Sequence, residues 1–190
     1  DLLVVNKSGD EAVYDIVVNS NAPYTGLELS SYSHYAGEVV ELILNGVTGY
    51  EIDSILLDGE EILGAFVDSR YSFDMPEHDV VIDLEYSPIY YDIQFSVTGN
   101  GEYSLLDEHG EPVTSAIYDQ TLTLQYSSTD SYVSNVYYTD EFGGVTYLDV
   151  GADNVSFQMP NSDIVIYIVF KQPNLSNFIV SHNYYSMTFS

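Results

Sequence analysis

The 190-residue chain contains neither cysteine nor tryptophan, and Lys7, Arg70 and Lys171 are its only basic residues against 30 acidic ones. Without cysteine there is no disulfide framework and no thiolate chemistry, which is compatible with export but does not by itself fix a compartment. A formal net charge of -27 repels phosphate backbones and anionic lipid heads, so no nucleic acid or membrane-surface partner is expected. No apolar run approaches the roughly 18 residues that a spanning helix needs. Residues 1–20 lack a basic start followed by an apolar stretch, so any signal peptide is expected to be missing already and no membrane insertion is expected. Helical patterning is absent too, since no window of a dozen residues sustains an i, i+3, i+4, i+7 apolar stripe. His34, His78, His109 and His182 fall in no metal-ligand spacing, and the chain has no G-x-S-x-G, no phosphate-binding glycine loop and no D-x-D-x-D-G loop. No enzyme activity, no catalytic residue and no cofactor is therefore expected.

What the chain does have is 45% hydrophobic residues, enough for a folded core, and nineteen tyrosines. Tyrosine combines an apolar ring with a polar tip and suits strands and contact surfaces. The acids are scattered rather than gathered in one run, the pattern of a solvated surface. Turn signals recur at Asn45-Gly46, Asp58-Gly59, Asn100-Gly101, His109-Gly110 and Gly143-Gly144.

The chain also repeats itself. YSFDMPEHDVVIDLEY at 71–86 returns as VSFQMPNSDIVIYIVF at 155–170. Tyr14 to Val18 match Tyr91 to Phe95, Val40, Leu42 and Leu44 match Leu122, Leu124 and Tyr126, and Ile52 and Ile55 match Val133 and Val136. Two β modules are expected at 12–86 and 91–170, joined by a short linker at 87–90 that favours a fixed angle. Residues 1–11 read as a terminal strand, from a preceding repeat or donated to a neighbour. Residues 171–190 read as a linker and the first strand of a third repeat, because Tyr184 to Ser190 resemble Tyr90 to Ser96. Unpaired terminal strands suggest assembly by strand exchange with copies of the same chain. Period-two alternation makes the expected fold all-β or nearly so: two tandem small β-rich modules, β-sandwich or β-grasp-like, with about six short strands per copy.

The order of these blocks resembles the divergent internalin-type B-repeat family of tandem modules in bacterial surface and secreted proteins. The resemblance rests on the leading Tyr-x-Ile/Val strand, Ala36-Gly37-Glu38 before Val40 and Leu42, Gly49-Tyr50, Ile55 before Asp58-Gly59-Glu60, and Phe73-x-Met75-Pro76-x-x-Asp79. The second copy departs from it at Tyr118-Asp119-Gln120, and the tryptophan that often follows Gly-Tyr in the family is absent. What the resemblance implies is an extracellular or cell-surface stalk, spacer or adhesive segment without catalysis. Its partners would be other repeat modules, copies of itself, or a host or environmental glycan or protein. The alternative is a carbohydrate-binding accessory module of a secreted multidomain protein.

Read alone, Asp74, Glu77 and Asp79 around His78 are candidate oxygen ligands for calcium. The second copy replaces Asp74, Glu77 and His78 by Gln158, Asn161 and Ser162. What persists is Phe73, Met75, Pro76 and Asp79 as Phe157, Met159, Pro160 and Asp163. This is a structural signature: core anchors, a turn, and a short carboxylate able to bond backbone N–H groups. Tyr90-Tyr91, Tyr137-Tyr138 and Tyr184-Tyr185 are candidates for stacking on sugars, although alternation places one tyrosine of each pair in the core. In copy two, Val165, Tyr167 and Val169 form an apolar row on the second face of the last strand, where copy one has Val81, Asp83 and Glu85. That row is expected to be covered by residues 175–190, by the other copy or by another molecule.

Overall fold

The computed structural model describes residues 12–173. The terminal strands expected at 1–11 and 184–190, and the covering segment 175–190, lie outside the described residues. The chain divides into two compact units between Tyr90 and Tyr91. The fold is all-β, and the helical element among the described residues is a three-residue 3-10 turn, Leu63–Ala65.

The first unit has strands β1 (Val13–Ser20), β2 (Leu27–Leu29), β3 (Ser33–Tyr35), β4 (Val39–Leu44), β5 (Tyr50–Leu57), β6 (Glu60–Glu61), β7 (Arg70–Asp74) and β8 (Val80–Pro88). They form a five-stranded sheet of order β3-β1-β8-β5-β6 and a three-stranded sheet of order β2-β4-β7. The inner faces of both sheets supply one core, with Ile16, Ile55, Val80, Ile82 and Leu84 from the larger and Leu27, Val40 and Leu42 from the smaller. Two sheets sharing a core with no helix on either face make a β-sandwich.

The second unit repeats this plan with β9 (Tyr90–Thr98), β10 (Glu102–Leu106), β11 (Ser115–Ile117), β12 (Thr121–Ser127), β13 (Tyr132–Asp140), β14 (Val145–Tyr147), β15 (Asn154–Gln158) and β16 (Ile164–Lys171). Its sheets are β11-β9-β16-β13-β14 and β10-β12-β15. Each unit thus has eight strands where alternation suggested about six. The additional ones come from strands of two or three residues, too short for a periodic signal. All five turn signals fall between strands. At Asp58 and Gly59 φ is 49° and 85°, the paired positive values of the two-residue hairpin turn that joins β5 to β6.

Three local features recur at matched positions and explain sequence details. A β-bulge lies between Ile52 and Ser54 in β5 and between Val133 and Asn135 in β13. The extra residue turns the alternation over, so apolar residues three apart rather than two both face the core. The Ala36-Gly37-Glu38 and Tyr118-Asp119-Gln120 segments, unlike in sequence, form the same turn. Gly37 has φ 79° and Asp119 has φ 65°, a left-handed conformation that glycine adopts freely and aspartate tolerates. Each turn is braced by its own side chain: Tyr35 N–H donates to Glu38 Oε2 at 3.0 Å, and Ile117 N–H to Gln120 Oε1 at 3.2 Å.

Each unit also buries one tyrosine with its hydroxyl on a backbone carbonyl, but in opposite sheets. Tyr86 of β8 donates to the Thr25 carbonyl at 2.7 Å; its counterpart in β16 is Phe170. Tyr126 of β12 donates to the Gly151 and Asn154 carbonyls, both at 3.1 Å; its counterpart in β4 is Leu44. Burial pushes both hydroxyls above their ordinary pKa, helped at Tyr126 by the charge of Asp153. A proton held more tightly in the folded chain than in the unfolded one gives stability that is complete below the unfolded value of about 10 and lost as pH climbs through the raised folded values. The urea midpoint is expected to fall as pH rises above 10. Tyr86→Phe and Tyr126→Phe together should flatten that decline while lowering stability at neutral pH, where the hydroxyl bonds are intact; an unchanged slope would count against this account.

Candidate functional site

The structure places the repeated signature at the junction of first strand, turn and last strand. Met75 and Met159 are 2% and 1% exposed and fill the two cores. Their backbones clasp the turns just described: Gly37 N–H donates to the Met75 carbonyl at 2.7 Å and Met75 N–H to the Glu38 carbonyl at 2.8 Å. In the second unit Asp119 N–H donates to the Met159 carbonyl and Met159 N–H to that of Gln120, both at 2.9 Å. Phe157 is buried beside Tyr138, ring centroids 5.7 Å apart, while Phe73 is half-buried against Tyr71. Pro76 and Pro160 occupy the connection to the last strand.

The two aspartates act across the sheet. Asp79 Oδ1 accepts the Asp15 N–H of β1 at 2.9 Å, and Asp163 Oδ1 accepts the Asp92 N–H of β9 at 2.8 Å. Each bond lies at the start of a parallel ladder between the first and last strands, with Ile16 opposite Val80 and Ile93 opposite Ile164. The carboxylate serves an N–H just before the first paired residue, extending the ladder by one rung. Asp79 therefore has a structural partner. Asp74 lies opposite Val39 on the outer side of β7, and Glu77 is exposed. Among the described residues no three His, Asp or Glu side chains are grouped to hold a metal ion.

A different site lies on the outer face of the larger sheet in the second unit. The register of β9, β16, β13 and β14 builds cross-strand rows there: Gln94–Val165–Thr139–Val145, then Ser96–Tyr167–Tyr137–Tyr147, then Thr98–Val169–Asn135. The middle row is aromatic. Tyr137 and Tyr167 rings lie 4.7 Å apart and within 3° of parallel, and Tyr147 lies 5.3 Å from Tyr137 at 38°. Parallel rings at that separation are offset like tiles, so part of each face stays uncovered. Tyr147, at the sheet edge, is 68% exposed. No residue of these three rows is charged.

The first unit supplies the control. Its middle row, in the same register, reads Asn19–Asp83–Leu56–Glu61. Asn19 Nδ2 donates to Asp83 Oδ1 at 2.7 Å, so the middle row here is polar and acidic where the second unit's is aromatic. The contrast extends beyond the row. Asp15, Glu28, Glu41, Glu51, Asp53, Glu60, Glu61, Asp74, Asp83 and Glu85 lie within strands of the first unit, but in the second Asp92, Glu102 and Asp140 are the strand acids. The fold thus does not require tyrosines in the row.

Of the tyrosine pairs named from the sequence, Tyr138 and Tyr91 pack against the second core while Tyr137 and Tyr90 point away from it. Tyr90, 67% exposed, is not part of the row, and Tyr184-Tyr185 lie outside the described residues. Tyr147 carried no sequence signal, because its strand is three residues long. No family model, no curated protein and no solved structure matches the chain. Among the described residues no helix is long and apolar enough to cross a membrane.

Removing the cross-sheet carboxylate should be felt in both units. Asp79→Ala and Asp163→Ala are each expected to cost about 1–2 kcal/mol in urea unfolding, and the Asn variants, which keep an acceptor oxygen, much less. Asp74→Ala should stay within about 0.5 kcal/mol, as surface changes usually do. Equal losses at positions 74 and 79 would contradict the assignment.

Proposed function

We propose that the chain is a non-catalytic, extracellular repeat segment of a bacterial surface or secreted protein, with a structural and adhesive role that includes transmitting tension along the chain. The observation that carries this reading is the parallel pairing of first and last strands in each unit. Because β1 and β8 run the same way, the backbone enters the unit at one end of the sheet and leaves at the other. With Ile16 opposite Val80, the start of β1 and the end of β8 are about eleven residue steps apart, roughly 35 Å along the strands.

Tension applied at those two ends pulls β1 and β8 past one another along their axes. The five paired positions from Ile16–Val80 to Ser20–Leu84, together with the Asp79 bond, resist together instead of opening one at a time. The second unit loads β9 and β16 in the same way. A spacer under load gains from this arrangement, whereas an enzyme scaffold has no need of it. The resemblance to surface repeat modules and the acidic, cysteine-free composition support the same setting. A second reading, a carbohydrate-binding accessory module, is favoured by the uncharged tyrosine row and the two uncharged rows beside it.

Since the chain has no cysteine, introduced cysteines give unique handles for pulling. Handles at Ala12 and Tyr90 shear β1 against β8; handles at Glu51 and Ser87, an antiparallel pair, peel β5 from β8. At equal loading rate the shear pull is expected to need several-fold more force and to release roughly 230 Å of chain. Equal forces in the two directions would defeat the tension reading.

A further inference from the structure

We infer that the outer face of β14, β13, β16 and β9 binds an uncharged polysaccharide, with Tyr147, Tyr137 and Tyr167 as the stacking row. The inference deepens the carbohydrate-binding reading and rests on it; the tension reading stands apart from it.

The occupant follows from the chemistry and charge of the face. The row offers aromatic surface for the apolar C–H side of sugar rings, and it spans about 10 Å, two strand spacings, enough to meet more than one ring. Ser96 ends the row, and Thr139 and Asn135 stand on either side of it; their hydroxyl and amide groups can donate and accept as sugar hydroxyls require. These three rows carry no cation; among the described residues Lys171, the next outward residue of β16 after Val169, is the one cation beside them, against a net charge of -27 for the chain. A sulfated, phosphorylated or carboxylated glycan would find a single lysine at the margin of the rows and a strongly negative chain around it, and would be repelled. A second copy of the chain would bring another -27 to the contact, which disfavours self-pairing through this face. The first unit shows that the same register folds with Asn19, Asp83, Leu56 and Glu61, so the tyrosines are not demanded by packing.

That comparison also supplies the test. The triple variant Tyr147→Glu, Tyr137→Leu, Tyr167→Asp gives the second unit the Asp83–Leu56–Glu61 part of the first unit's row, with Ser96 retained. Sedimentation of the full chain with microcrystalline cellulose, insoluble chitin and insoluble xylan, and affinity gels holding a soluble neutral β-glucan, are the binding probes; pectate is the anionic control. The wild-type chain is expected to bind at least one neutral polysaccharide and not pectate. The triple variant should bind at least tenfold more weakly with its circular dichroism spectrum retained. Tyr147→Ala, at an exposed edge, should weaken binding several-fold without changing the melting temperature, so a folding failure of the triple variant leaves the site testable. Binding that survives all these changes would overturn the site but keep the carbohydrate reading, and absence of binding to every neutral probe would overturn both. Pectate binding, or a concentration-dependent dimer in light scattering that the triple variant abolishes, would assign the face to an anionic glycan or to self-association and overturn the proposal.

Discussion

The rest of each unit depends on the pairing of its first strand with its last. Ile16 and Val80 are 64 residues apart in sequence, yet they open the ladder at the centre of the larger sheet. Until β8 arrives, β1 has only β3 beside it in that sheet, and the inner row of Val80, Ile82 and Leu84 is missing from the core. Contacts this distant in sequence make closure the expensive step of folding, since the loop must be restrained before the contact contributes. Register is fixed by the same alternation that fills the core. A slip of one residue in β8 would turn Val81, Asp83 and Glu85 inward and expose the apolar set.

Around that constraint the two copies keep some things and vary others. The bulge, the left-handed turn, the methionine clasp and the aspartate bond are shared because each fixes backbone direction where the sheets meet. The buried tyrosine is shared as a role but moves between sheets, from β8 to β12, which preserves one long polar-tipped side chain in each core. Outward positions follow no such rule. There strand carboxylates are frequent in the first copy and few in the second.

The longer strands were legible in the sequence because period-two alternation runs across most of β8, β12 and β16, and the turns because Asn-Gly and Asp-Gly pairs mark chain reversals. Strands such as β3, β6 and β14 were not, since two or three residues carry no period. Equivalence of Ala36-Gly37-Glu38 and Tyr118-Asp119-Gln120 was hidden because the shared property is a positive φ, which two different residues supply. The repeated aspartate could be recognised as structural by comparing copies. Its partner could not be named, since Asp15 and Asp92 lie 64 and 71 residues away. Tyr167 announced an unusual face, but the row became visible only through the registers of β13, β14 and β16, which local sequence does not specify.

The uneven placement of strand acids has a colloidal consequence. Uncharged, tyrosine-bearing rows on a sheet are the kind of surface on which molecules meet and precipitate, and here they share a chain with a unit rich in strand carboxylates, whose like charges repel. The repulsion is ionic and is lost as carboxylates take up protons toward the isoelectric point near 4.1. Acidification therefore removes charge from both copies, more of it from the first, while the tyrosine row of the second, which bears no carboxylate, is unchanged. One duplicated fold in this way sets a carboxylate-rich sheet and a charge-free tyrosine row in a single chain, and ambient acidity alters the first without altering the second.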